Sequence, residues 1–121
     1  MKIVVIGCGF IGSHVADEVP KMCFSQDRVA HFVFVDFDRW ETRNAANQNV
    51  SGVEAEAQEF KADTCARYAN SYPGVTAEAL NEKLTALNAS AVLEGADLII
   101  DCVDNIPTRQ LLWGFALAGV T

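Results

Sequence analysis

The chain lacks any run near the roughly 18 to 20 apolar residues that a membrane span needs, and its apolar start, Ile3 to Ile6, is too short for the core of a signal peptide. It also lacks a C-x-x-C pair. Cys8, Cys23, Cys65 and Cys102 are far apart, which argues against a zinc site or a disulfide framework and for free thiols in a reducing compartment. Basic side chains are scarce and scattered, 9 against 16 acidic ones for a formal charge of −7, so binding to a nucleic-acid backbone is disfavoured. Internal repeats, low-complexity tracts and linkers are missing too. What these absences leave is a cytoplasmic globular protein with neither membrane nor nucleic acid as partner. With 121 residues, half of them hydrophobic, it forms a single domain over residues 1–121 with one core.

What is present begins at Lys2 to Gly12, KIVVIGCGFIG. Four β-formers, Ile3 to Ile6, run into Gly7-x-Gly9-x-x-Gly12, the order of a buried parallel strand, a tight turn and the opening of a helix. Gly7 permits the turn, Gly9 lets a phosphate approach the backbone, and Gly12 lets the helix pack close to the strand. The helix N-terminus then offers unpaired N–H groups and the positive end of its dipole.

From Ile11, the steps Ile11, Val15, Val19 give an amphipathic helix that Pro20 ends, and Lys21 to Ala30 reads as an irregular connection. A second strand, His31 to Val35, stops at Asp36, where an acidic residue accepts hydrogen bonds from ribose hydroxyls or merely caps the strand. Asp36 to Asn49 is a polar loop beyond that strand end, either a ligand site or a solvated connection. Gly52 to Tyr72 reads as one helix, in which Lys61 taken by itself is a surface ion-pair partner. Val75 to Leu80 is a third strand, Ala86 to Leu93 a short helix stopped by Gly95, Ala96 to Ile100 a fourth strand, and Thr108 to Gly119 an apolar helix with Pro107 in its first turn. Asp101 and Asp104 follow the fourth strand. Carboxylates beside a phosphate site need a cation, which gives Asp104 a Mg²⁺ role, while Asp101 reads as a loop cap. Cys8 and Cys102, each next to a strand end, read as small buried thiols. The alternation of strands and helices predicts a Rossmann-like, doubly wound α/β fold with a mainly parallel sheet and helices on both faces.

Several motifs together carry a resemblance: Gly7-x-Gly9-x-x-Gly12; Val35-Asp36-Phe37-Asp38 followed by Asn44 and Gln48; Lys61 opening a helix; Asn70 to Pro73; and Asp101-Cys102-Val103-Asp104-Asn105-x-x-x-Arg109. The chain resembles the N-terminal adenylation core of the ThiF, MoeB and ubiquitin-activating enzyme superfamily. That resemblance implies binding of ATP and Mg²⁺ and adenylation of the C-terminal carboxylate of a ubiquitin-like or sulfur-carrier protein. It implies phosphates on Gly7, Gly9 and Gly12, ribose on Asp36, phosphates on Asn44 and Lys61, and Mg²⁺ on Asp104, with Lys61 and Asp104 acting in catalysis. It reverses the surface-pair reading of Lys61. Arg109 would steady the Asp104 loop. The family's dimeric habit makes a homo-oligomer an expectation, with Trp113 and Phe115 on its interface or against the sheet.

The departures are specific. Where the family usually has N-x-x-R-Q, this chain has Asn44-Ala-Ala-Asn47-Gln48, so the phosphate-contacting Arg is replaced by Asn47; Arg39 and Arg43 are off the motif. The chain begins at the first strand, without the segment that in many members lends an arginine to a partner subunit. It ends at Leu117 to Thr121, before the thiol-transfer Cys, so it reads as an incomplete version of a longer family domain. Two rival readings are an NAD-binding domain of a dehydrogenase or redox sensor, using only the glycines and Asp36, and a non-catalytic interaction domain on the same fold.

Overall fold

The computed structural model describes residues 1–117. Strand β1 (Lys2–Ile6) lies inside a four-stranded sheet, paired parallel with β2 (Ala30–Val35) on one side and β4 (Leu98–Asp101) on the other; β3 (Val75–Leu80) extends β2, giving the order β3-β2-β1-β4. Side chains on a strand alternate between faces, and here both faces are covered, which is why β1 and β2 are continuous apolar runs. Ile3, Val5, Phe32 and Phe34 pack under helices α1 (Phe10–Ser25) and α3 (Lys61–Asn70). Val4, Ile6, Val33 and Val35 pack under α4 (Ala89–Leu93) and α5 (Ile106–Leu117) on the opposite face. The doubly wound α/β expectation is met.

Winding outward from β1 to β3 and then crossing to β4 creates a switch point between β1 and β4. Connections diverge there and leave a crevice at the carboxyl ends of the strands, the usual place for a ligand in an open α/β sheet. The expected strand β3 is met residue for residue, and β4 begins two residues later than predicted and includes Asp101. Short α4 begins at Ala89 rather than Ala86, and Gly95 follows it with a left-handed φ of 73°. Helix α5 starts at Ile106; the part of the expected helix at Ala118–Gly119 lies outside the described residues.

Two predicted boundaries are overturned. Helix α1 does not end at Pro20 but continues to Ser25, so Lys21 to Ser25 are helical. A proline costs a helix one hydrogen bond and crowds the turn before it. Burial outweighs this here: Ala16, Pro20 and Cys23 share one buried face, and ending the helix would withdraw Cys23 from the core. The predicted single helix Gly52–Tyr72 is two, α2 (Gly52–Glu56) and α3, separated where Gln58 takes φ 54° and Phe60 extends into an antiparallel bridge with Arg39. Ser51 opens α2 with a capping box, its hydroxyl accepting the Glu54 N–H while the Glu54 carboxylate accepts the Ser51 N–H. The loop Asp36–Asn49 contains one short 3-10 turn, Thr42–Ala46, and is anchored by Trp40, which is 1% exposed and packs with Val50 and Ala55. An aromatic residue in an otherwise polar stretch gave no periodicity by which to predict that third small core.

Candidate functional site

The glycine turn sits at the switch point. Gly7 has φ 95°, and a side chain there would stand 2.8 Å from the Cys102 carbonyl oxygen, so the β1 and β4 ends approach too closely for a Cβ. Gly12 is tighter still: a Cβ would lie 1.9 Å from the Gly7 carbonyl oxygen. Gly12 is therefore the contact that seats α1 on β1, and it does not border the crevice. Gly9 is different. A Cβ there would have only the Gln48 Oε1 nearby, at 3.9 Å, and Gly9 precedes α1 with no side chain capping the helix. The first-turn N–H groups of α1 thus keep their capacity for an anion.

Gly7, Gly9, Asp36, Lys61 and Asp104 all border one cavity of about 320 Å³. Five of the seven predicted site residues converge there from four different elements and loops, and Asn44 borders an adjoining cavity that also has Lys61 in its wall. Asp36 is the joint of the site. Its Oδ2 accepts the Cys8 N–H and its Oδ1 accepts the Asp38 N–H, both at 2.8 Å, tying the glycine turn to the loop after β2. Burial pushes the Asp36 carboxyl above its usual range, against the pull of those two N–H donors.

Lys61 is the first residue of α3, a placement that follows from the break at Phe60 and that a single helix would have lost. Its N–H donates to the Asp38 carbonyl at 3.0 Å, and its ammonium lies 5.2 Å from the centroid of the Trp40 ring. Trp40 is itself held by its indole N–H, which donates to Thr64 Oγ1 at 2.9 Å. The buried ring supports a cation in the wall between the two cavities. Asn44 turns its Oδ1 back to accept the Glu41 N–H at 2.7 Å, closing the 3-10 turn.

From the last residue of β4 to the first turn of α5, four polar residues divide their work. Asp101 accepts the Val103 N–H at 3.1 Å and the Arg109 Nε–H at 2.9 Å, and Arg109 also donates to the Val103 carbonyl at 2.6 Å. Asn105 accepts the Thr108 N–H at 2.9 Å at the start of α5. Asp101 thus caps the loop and Arg109 steadies it, as expected, and the Asp104 carboxylate is exposed beside the cavity. Burial pushes the Cys102 thiol up to about 11, and Cys8 is raised by its hydrogen bond with Cys65 and by burial, so both are protonated thiols at neutral pH.

Sequence reasoning missed the apolar wall of the cavity. Phe10, Ile11, Phe37 and Leu84 line it. The large exposed side chains at Phe10, Ile11 and Phe37 had a signal in their position beside the motifs; Leu84, from the connection after β3, had none. Among the described residues no three His, Cys, Asp or Glu side chains are grouped as a metal cage, and no helix is long and apolar enough to cross a membrane.

Compared with known proteins, residues 1–119 match the ThiF family. The chain is 35% identical over 113 residues to "Adenylyltransferase and sulfurtransferase MOCS3" of Mus musculus, covering 91% of this chain and 23% of that protein. It is 29% identical over 112 residues to "SAMP-activating enzyme E1" of Haloferax volcanii, covering 92% of this chain and 39% of that protein. The chain therefore spans well under half the length of these relatives. Among solved structures, E. coli tRNA N6-threonylcarbamoyladenosine dehydratase, TcdA, superposes with a TM-score of 0.80 at 18% identity over 98% of this chain and 48% of that one, which is a likeness of fold; TcdA has also been crystallised in complex with ATP. With residues 1–119 of this chain matching the family and the parallel sheet and glycine turn in place, the chain belongs to the ThiF family.

Proposed function

We propose that the chain binds ATP with Mg²⁺ and forms the nucleotide-binding part of an enzyme that adenylates the C-terminal carboxylate of a ubiquitin-like or sulfur-carrier protein. The observation that carries this is the convergence of Gly9, Asp36, Lys61 and Asp104 on one cavity at the switch point. The residues fit both groups. An uncapped helix start beside a glycine with no Cβ suits phosphate. An exposed carboxylate at the edge of that cavity suits Mg²⁺, which binds through one or two carboxylates plus phosphate and water.

In this reading the α1 N-terminus and Gly9 receive the phosphates, and the remaining lone pairs of Asp36 receive the ribose hydroxyls. Lys61 places a positive charge against the phosphates from the opposite wall, Asn44 adds a polar contact from the adjoining cavity, and Asp104 holds the metal. ATP supplies an activated α-phosphorus that a carboxylate oxygen attacks as pyrophosphate leaves. The chain's contribution is to hold that phosphorus in line and to oppose the charge that builds on its oxygens. The substrate carboxylate must arrive without repulsion, and offsetting the local excess of acids is the work of Lys61 and the metal together. An NAD-binding reading uses the glycines and Asp36 but leaves Lys61 and Asp104 in the same cavity without a task.

Calorimetric titration of the purified chain tests this. Saturable ATP binding that weakens without Mg²⁺, and that weakens again in Lys61→Ala with an unchanged circular-dichroism spectrum, is the expected result. Preference for NAD⁺ with indifference to Mg²⁺ would overturn it.

A further inference from the structure

Next to the first cavity lies a second of about 550 Å³, which shares Phe37, Asp38 and Lys61 with it. In a chain with a charge of −7 and only 9 Lys and Arg, three cations, Arg39, Arg43 and Lys61, border this one space. Two of its walls are acidic, Asp38 and Glu41, so the cations are in excess.

The two arginines are not equivalent. Arg39 is committed to the loop: its guanidinium lies 3.8 Å from the Phe60 ring centroid and Nη1 donates to the Gln58 carbonyl at 3.1 Å. Arg43 pairs with Glu41 at 2.7 Å, with the two side chains 80% and 60% exposed. An exposed pair of this kind contributes little and exchanges readily for a phosphate, which accepts two parallel N–H donors. Asn47, by contrast, is exposed and borders neither cavity.

A second observation points to a ligand in the same place. Among the described residues, Gln48 Oε1 is buried with no hydrogen-bond partner. It lies 3.9 Å from where a side chain on Gly9 would begin, and Gln48 walls the second cavity. An orphaned buried amide end is costly unless a ligand completes it, and the amide presents either a donor or an acceptor according to its flip. The orphan therefore joins the glycine turn to the arginine-lined space.

We propose that Arg43 is the polyphosphate-binding arginine of this chain, releasing Glu41 to grip, together with Lys61, the terminal phosphates of a nucleoside triphosphate whose α-phosphate rests on the glycine turn. The inference rests on the nucleotide reading above. Glu41 acts as a competitor for the guanidinium when no phosphate is there.

The test titrates wild type, Arg43→Ala and Glu41→Gln with Mg²⁺–ATP, with inorganic tripolyphosphate, and with AMP. Arg43→Ala is expected to weaken ATP and tripolyphosphate by roughly tenfold while leaving AMP unchanged. Glu41→Gln is expected to tighten both severalfold. The Arg43 side chain is 80% exposed, and an unchanged melting temperature checks that Arg43→Ala keeps its fold. Equal ATP and tripolyphosphate affinities in wild type and Arg43→Ala would overturn the inference, as would an equal loss for AMP. If wild type ignores ATP but binds tripolyphosphate through Arg43, the nucleotide reading falls and the arginine assignment holds. If it binds neither, both fall.

Discussion

The Asp36 carboxylate accepts the backbone N–H of Cys8 at 2.8 Å across 28 residues of sequence, so the strand-end acid and the glycine turn are one structural unit. A ligand hydroxyl meeting Asp36 meets a group already oriented, because the other oxygen is fixed by the Asp38 N–H. Asp36→Ala leaves two backbone donors without their acceptor, and we expect a loss of about 1–2 kcal/mol in urea unfolding. Faster hydrogen exchange at the Cys8 and Asp38 amides should accompany it, together with weaker ATP binding. Unchanged exchange at both amides would show that the carboxylate does not hold the turn.

Gly12 and Gly9 separate packing from binding within one motif. Gly12→Ala places a methyl 1.9 Å from the Gly7 carbonyl oxygen, and the helix must lift from the strand. We expect destabilisation of at least about 2 kcal/mol by thermal or urea unfolding. Gly9→Ala meets nothing nearer than 3.9 Å, so it should cost far less stability than Gly12→Ala and lose ATP affinity. Equal stability of the two variants would contradict the assignment of Gly12 to packing.

Acid sensitivity is expected to centre on Glu54. Burial pushes its carboxyl upward, but hydrogen bonds from the Tyr68 hydroxyl, the Ser51 N–H and Arg67 outweigh that and lower it from the ordinary 4.5 to about 2. The unfolded chain then binds more protons between those values. The stabilisation is therefore complete above pH 4.5 and is lost as pH falls toward 2. Glu54→Gln should lower stability at neutral pH and flatten the dependence of the denaturation midpoint over that window. A dependence as steep as wild type would place the acid-sensitive group elsewhere.

How far the sequence was legible depends on how local the cause was. Ile3 to Ile6 and His31 to Val35 are strands because β-formers cluster there, and no distant contact was needed to find them. Val75 to Leu80 has only Val75 and Thr76 of that kind and was legible from the Pro73-Gly74 turn before it. The Asp101 loop cap was readable for the same reason, since it accepts the N–H of Val103 two residues on. The Arg109 role came with the motif resemblance, and the Asn105 contact with the Thr108 N–H emerged only in the structure. The end of α1 was misread because the burial that carries the helix past Pro20 comes from the core around Cys23, which is not local information. The reading of Gly52 to Tyr72 as one helix missed the break before Lys61, which the motif resemblance implied, because the break is made by the bridge between Arg39 and Phe60.

By itself, then, the sequence determined the alternation of strands and helices, the glycine turn, the acid at the second strand tip and the family, since each is written in contiguous residues whose propensities and spacing act over a few positions. Only the tertiary structure decided that Asp36 clasps the Cys8 amide, that Trp40 carries the Lys61 ammonium from beneath, and that Arg43 rather than Asn47 faces the second cavity. These relationships join segments far apart in the chain. They form only when the sheet has brought the strand ends together and burial has fixed which side chains share a wall.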